Sequence, residues 1–317
     1  MNHSTEAGDR GAGYPDIIGI TRAFLEAPTA GREPNIPYHT TEMPSISELE
    51  NMMRLLRAAF FPGFFGPGGA CGESRRHQLA YNLDAIFRIL TEQIRLGICF
   101  SCADDEDACS KCEATALAMA RDFMKGLPAI RSLLDGDVLA AYEGDPAAKS
   151  KAETIFCYPS IHIMTNHRIA HELHRLGVPV IPRIISEMGH SNTGIDIHPA
   201  AHIGTEFFID HGTGVVIGET AIIGNHCRLY QGVTLGALSF PKDSDGNPIK
   251  GLPRHPILED NVTVYSGTTI LGRVTIGAGS VIGGNVWITD DVPPGSKIVQ
   301  QRSVAPTSED HLVGRKS

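Results

Sequence analysis

The sequence predicts an α+β chain: a helical N-terminal domain followed by a left-handed parallel β-helix built from hexapeptide repeats. Three observations carry this reading. Up to about residue 190 the apolar residues recur at helical spacing. From Ile195 the apolar period changes to six. One long polar stretch, Gly236–Pro256, then interrupts the repeat.

Residues 1–44 are rich in Gly, Pro and small polar residues and read as a flexible arm, with one short helix at DIIGITRAFLEA. The helical domain is expected over 45–190. It opens at Ser45, three residues before Glu48, which is the spacing of a capping box, and an apolar run at helical steps follows. Ala59–Cys71, AFFPGFFGPGGAC, breaks the helix with Pro and Gly, and its four phenylalanines are expected to fold back onto the helices. Leu83, Ile86, Phe87, Leu90 and Ile94 step by three and four, which predicts another amphipathic helix. The stretches EATALAMARDFMKGLPAIRSLLDGDVLAAYEGDP and IHIMTNHRIAHELHRLG read the same way.

The solenoid is expected over 191–298. Ile197, Ile203, Ile209 and Val215 are six apart, as are Ile217, Ile223, Leu229 and Leu235, the two runs being offset by two residues. After the polar stretch, Leu258, Val264, Ile270, Ile276, Ile282 and Ile288 keep the step, with small or β-branched residues four places after each. Neither a helix nor an ordinary strand produces a strict six; a solenoid with three short segments per turn does. Residues 237–254 must then be extruded as a loop, and 299–317 form a C-terminal tail.

A net charge of −9 leaves no basic stripe for nucleic acid. The N-terminus lacks an apolar core after a basic start, and no apolar run is long enough for a membrane span. Seven cysteines, odd in number and clustered, suit a reducing cytoplasm.

The combination of DIHPAA, DHGTGVVIGETA, QGVTLG and RHP, between about Asp137 and Ser296, resembles the serine O-acetyltransferases. The resemblance implies transfer of acetyl from acetyl-CoA, as co-substrate, to the hydroxyl of L-serine, the first step of cysteine biosynthesis. A serine hydroxyl needs a positioned base, and imidazole has the matched pKa. By resemblance His211 is that base and Asp196 orients it; the fifteen residues between them approximate one solenoid turn. Arg254 and His255 are expected on the substrate carboxylate, where an Arg fork fits. The resemblance puts Asp210 and Asp145 on the ammonium, although Asp145 also reads as a helix-ending turn. It likewise places Gly236, Ala237, Ser266 and Gly267 along the pantetheine groove between adjacent solenoids, hence in a homo-oligomer, either a trimer or a dimer of trimers. Lys242, Lys250 and Arg273 are either phosphate contacts or ordinary surface charges. Relatives bind cysteine synthase through a terminal Ile; this chain ends in Ser, so that partnership is not expected. The alternative is a hexapeptide O-acetyltransferase for a sugar or antibiotic, though a neutral acceptor needs no paired carboxylates and Arg.

Two clusters lie outside that resemblance. Cys99, Cys102, Cys109 and Cys112 form C-x2-C-x6-C-x2-C, which reads as a structural zinc site, a redox switch or four unbound thiols. His167, His171 and His174 fall on one helix face and are expected to pack rather than bind metal.

Overall fold

The computed structural model describes residues 16–26, 43–66, 72–101 and 109–300. Among the described residues seven helices come first: α1 (Ile17–Glu26), α2 (Ile46–Phe60), α3 (Glu73–Ser101), α4 (Cys109–Gly144), α5 (Lys151–Cys157), α6 (Pro159–Arg175) and α7 (Ile181–Thr193). The helix expected in the N-terminal arm is α1; most of the rest of 1–44 and the tail from 301 onward lie outside the described residues.

Ser45 caps α2, its hydroxyl accepting from the Glu48 N–H at 3.3 Å. The reciprocal half of the box is not made by Glu48: the Ser45 N–H donates to Gln93 Oε1 on α3 at 2.6 Å. A tertiary acceptor has thus replaced the local one, tying the start of α2 to α3. The phenylalanines behave as expected, Phe60 and Phe61 buried and Phe64 and Phe65 packed against the core. Pro159 opens α6 at a position where a missing N–H costs nothing. The α6 histidines pack: His167 is buried and His171 shares a hydrogen bond with the Pro199 carbonyl at 2.9 Å.

Fourteen short strands follow: β1 (Asp196–Ile197), β2 (His202–Ile203), β3 (Phe208–Asp210), β4 (Val216–Ile217), β5 (Ile222–Ile223), β6 (Arg228–Tyr230), β7 (Thr234–Gly236), β8 (Ile257–Leu258), β9 (Thr263–Val264), β10 (Thr269–Leu271), β11 (Thr275–Ile276), β12 (Val281–Ile282), β13 (Trp287–Ile288) and β14 (Lys297–Ile298). They build three parallel sheets, β1-β4-β7-β10-β13, β2-β5-β8-β11 and β3-β6-β9-β12-β14, which are the three faces of a solenoid of about five turns. All fourteen aliphatic positions of the six-residue repeat are buried inside it. The polar members of the secondary series are buried too, each bound to a carbonyl: Thr268 donates to Gly283 O and Ser280 to Pro293 O.

The register reports where the chain departs from the repeat. Val216 pairs with Thr234, eighteen residues on, as does Thr269 with Trp287. Asp196 pairs with Val216, twenty residues on, so the first turn carries two extra residues. They fall at the corner between β3 and β4. The polar stretch leaves after β7 and returns at β8, where Ile222 pairs directly with Ile257. Its own turn is closed by Asp243 Oδ1, which accepts from the Asp245 and Asn247 N–H groups.

The helical half is fastened to the first solenoid turn by a buried ion pair. Arg168 on α6 donates from Nη2 and Nε to both oxygens of Asp137 on α4, at 2.9 and 3.1 Å. Its remaining donors reach Ile203 O at 2.5 Å and Gly204 O at 2.6 Å, while Asp137 Oδ1 also accepts from the Phe207 N–H at 3.1 Å. Both side chains are almost fully buried, so each charge depends on the other. Arg168→Met is therefore expected to lose about 3–5 kcal/mol of stability in urea unfolding. A loss below about 1 kcal/mol, the range of an exposed pair, would contradict this role.

Candidate functional site

The two extra residues of the first turn are His211 and Gly212. Every other coil passes this edge through a single left-handed residue (Gly194, Gly232, Gly267, Asn285), whereas here His211, Gly212 and Gly214 have φ of 57°, 89° and 78°. A positive φ is uncommon for a non-glycine residue and marks a backbone held by its surroundings. Gly212 permits the turn because a Cβ there would overlap Ile195. The result is a bulge that throws His211 outward, its side chain 74% exposed, which rules out a packed core histidine.

Three other polar groups share this edge. Asp210 Oδ1 lies 3.8 Å from His211 Nε2. Asp145, just beyond α4, accepts from the Ala147 N–H at 2.8 Å and from the Tyr158 hydroxyl at 2.5 Å. Asp145 therefore forms the helix-ending turn, one of its two expected readings, and lies near His211. The Tyr158 hydroxyl and the Ala147 N–H hold its carboxyl below the usual carboxylate range, and His211 adds to this. Tyr158 itself is pushed up to about 12, chiefly by donating to Asp145, with Asp210 contributing. Tyr158 carries no motif of its own, so the sequence did not single it out.

Asp196 stands on the same edge one coil earlier, its N–H donating to Val215 O. Among the described residues no hydrogen bond or ion pair joins its carboxylate to His211. It stands instead with Glu187 and His190 of α7, one ligand atom of each lying within 4.8 Å of the others. In this structure the carboxylate next to His211 is Asp210.

Arg254 and His255 occupy the opposite end of β4. Arg254 Nη2 donates to Glu219 Oε2 at 2.6 Å. Its N–H and that of His255 both donate to Thr220 Oγ1, at 2.9 and 3.1 Å. The His255 Nδ1 in turn receives the Thr220 N–H at 3.0 Å and lies 2.9 Å from Thr220 Oγ1. With Nδ1 an acceptor, the neutral ring carries its proton on Nε2. Burial first, and then the Arg254 charge, pushes His255 down to about 4. Gly218 is required here, since a Cβ would overlap the His255 ring. Arg273 braces the same turn by donating to Thr220 O and His255 O at 2.6 and 3.0 Å, which gives it a structural partner in place of a free phosphate-binding end. Glu219 and Thr220 were legible only as part of a hexapeptide.

The remaining expected residues divide between the same two edges. Gly236 ends β7 and Ala237 follows it on the Arg254 side, and Ser266 and Gly267 precede β10 on the His211 side, the Gly267 N–H donating to Gln231 O. One chain therefore holds two polar clusters at opposite ends of one face: Asp145, Tyr158, Asp210 and His211 at one, Glu219, Thr220, Arg254 and His255 at the other.

Of the cysteine cluster, Cys99 and Cys112 are buried on α3 and α4, while Cys102 and the Cys109 side chain lie outside the described residues. The side chains of two of the four cysteines for which zinc, a redox switch or unbound thiols are expected thus lie outside the described residues. Among the described residues, no helix is long and apolar enough to cross a membrane.

Residues 255–290 match the model of the bacterial transferase hexapeptide (six repeats). A plasmid-encoded serine acetyltransferase of Synechococcus elongatus is 48% identical over 273 residues, covering 84% of this chain and 86% of that protein. A serine acetyltransferase of Mycobacterium tuberculosis is 44% identical over 164 residues, 52% of this chain and 68% of that one. Among solved structures, serine acetyltransferase 1 of Entamoeba histolytica in complex with L-cysteine superposes with a TM-score of 0.69 at 33% identity, covering 88% of this chain and 94% of its own. With a buried six-residue repeat and this extent of identity, the chain belongs to the serine acetyltransferase family.

Proposed function

We propose that this protein transfers acetyl from acetyl-CoA to the hydroxyl of L-serine, giving O-acetyl-L-serine and CoA, the first step of cysteine biosynthesis. The observation that carries the reading is the exposed His211, held in a left-handed corner beside Asp210 and facing Asp145. Such an edge offers a base for a hydroxyl and two carboxylates for an ammonium. The Arg254–His255 turn offers a fork and an N–H for a carboxylate, so together the half-sites match a zwitterionic hydroxy amino acid. A cytoplasmic setting fits Cys157 and Cys227, which form no disulfide.

In the reaction His211 takes the proton of the serine hydroxyl as its oxygen attacks the thioester carbonyl. The tetrahedral oxyanion needs an N–H donor, for which the backbone at Gly236–Ala237 is placed on the Arg254 edge. Collapse breaks the C–S bond, and the imidazolium returns the proton to the departing thiolate. No acyl-enzyme is needed. Asp196 orients His211 in this scheme once its carboxylate turns to the ring; Asp210 is already beside it. His211→Ala is expected to lower kcat by about 10²–10⁴-fold. Asp196→Asn should lower kcat with little change in KM for serine, whereas Asp210→Asn should raise that KM. Unchanged turnover in His211→Ala would sink the base assignment.

The two half-sites are separated by β4, so a complete site requires the His211 edge of one copy and the Arg254 edge of the next. A homotrimer, alone or paired, satisfies this, with Val216 and Trp287 exposing apolar side chains on the face between the edges. Co-assembly of His211→Ala and Arg254→Ala chains should restore activity that neither variant has alone. Mixed assemblies as inactive as their parents would place the whole site within one chain.

His255 and His162 are both pushed down to about 4 from 6.5, each mainly by burial. Between these values the unfolded chain binds protons that the folded chain refuses, so stability falls as pH drops. Unfolding free energy should be level above about pH 6.5 and decline towards pH 4; a profile flat down to pH 4 would contradict this.

A further inference from the structure

A cavity of about 330 Å³ lies between α2, the α5–α6 junction and α7, away from the Arg254 edge. Its polar floor is Arg57 and His162; its walls include Phe61, Phe65 and Phe156, the last two stacked at 5.9 Å. Arg57 donates from Nη2 to Asn166 Oδ1 at 3.1 Å, but its Nε is buried without a partner. Among the described residues no carboxylate pairs with it. Burial works against its charge and pulls its pKa down. His162 Nε2 is likewise buried and unpartnered. Glu50 and Arg54 do not line it; they line the adjoining cavity of about 260 Å³, which Arg57 and His162 also line and where Arg54 is engaged by Asn51.

A half-buried guanidinium whose Nε is buried without a partner, with an orphaned imidazole nitrogen beside it, is unusual, because buried polar atoms are ordinarily satisfied. We propose that this cavity is a binding site for a small carboxylate with an apolar body, the carboxylate held by Arg57 Nε and His162 Nε2 and the body between Phe61, Phe65 and Phe156. Two adjacent donors suit a planar carboxylate, and aromatic walls disfavour a fully hydrated inorganic anion. Tyr158 lines the same cavity and donates to Asp145, so occupancy reaches the serine-binding edge.

Cys157 provides the readout: it is exposed and lines the cavity, whereas Cys99, Cys112 and Cys227 are buried. Alkylation of Cys157 in the full chain is followed by peptide mass spectrometry with benzoate, acetate or inorganic phosphate as probes. Benzoate is expected to slow it saturably, at concentrations at least about tenfold below acetate or phosphate, as the buried ring adds more than about 1.4 kcal/mol. Arg57→Met should weaken the effect at least tenfold. Arg57→Lys, which keeps charge but loses Nε, should weaken it as well. Equal protection in both variants, no protection by benzoate, or phosphate protecting better than benzoate would overturn the proposal. A shift in KM for serine on adding benzoate tests the coupling through Tyr158, which rests on the serine reading. Protection without that shift overturns the coupling and leaves the site standing.

Discussion

The ion pair between Asp137 and Arg168 holds the two halves of this protein in one piece. An arginine buried at a helix–solenoid junction could not persist unpaired, and Asp137 meets it with both oxygens. The same guanidinium satisfies the carbonyls of Ile203 and Gly204, and the same carboxylate takes the Phe207 N–H. Five groups from α4, α6 and the first coil are thereby fixed relative to one another. Asp145 follows at the end of α4, and Tyr158 just precedes α6. Their approach to the His211 corner is a downstream result of that anchorage.

The solenoid supplies the second constraint. Its interior accepts one aliphatic side chain every six residues, so any extra residue must appear at a corner or as a loop. The chain uses both outlets. Two residues at one corner produce the outward His211, and the excursion after β7 returns at Arg254 and His255. In both places the departure from the repeat carries the residues to which the proposed chemistry is assigned.

This explains what the sequence could and could not disclose. The period of six and its two-residue offset are direct imprints of the core, so the architecture and the unusual corner were readable. The proximity of Asp196 to His211 was inferred from fifteen residues against a turn of about eighteen. That placed the two on one edge, but backbone register does not decide a rotamer: the Asp196 carboxylate lies within 4.8 Å of ligand atoms of Glu187 and His190 and makes no hydrogen bond or ion pair with His211. Tyr158, Thr220 and Glu219 are ordinary residue types whose roles arise from contacts thirteen to thirty-five positions away. The Ser45 cap shows the same limit on a smaller scale: its spacing identified the helix start, while Gln93 took the place of the local acceptor.

The extruded segment between β7 and β8 leaves a solenoid whose neighbours do not register its presence, since Ile222 pairs with Ile257 as though nothing intervened. Its length is thus uncoupled from the stability of the coils on either side. The segment behaves as an interchangeable part: it can be lengthened, shortened or exchanged at its two fixed ends while the barrel of aliphatic residues stays as it is. A lineage altering which acceptor it acetylates has, in that one stretch, room to vary without renegotiating the fold.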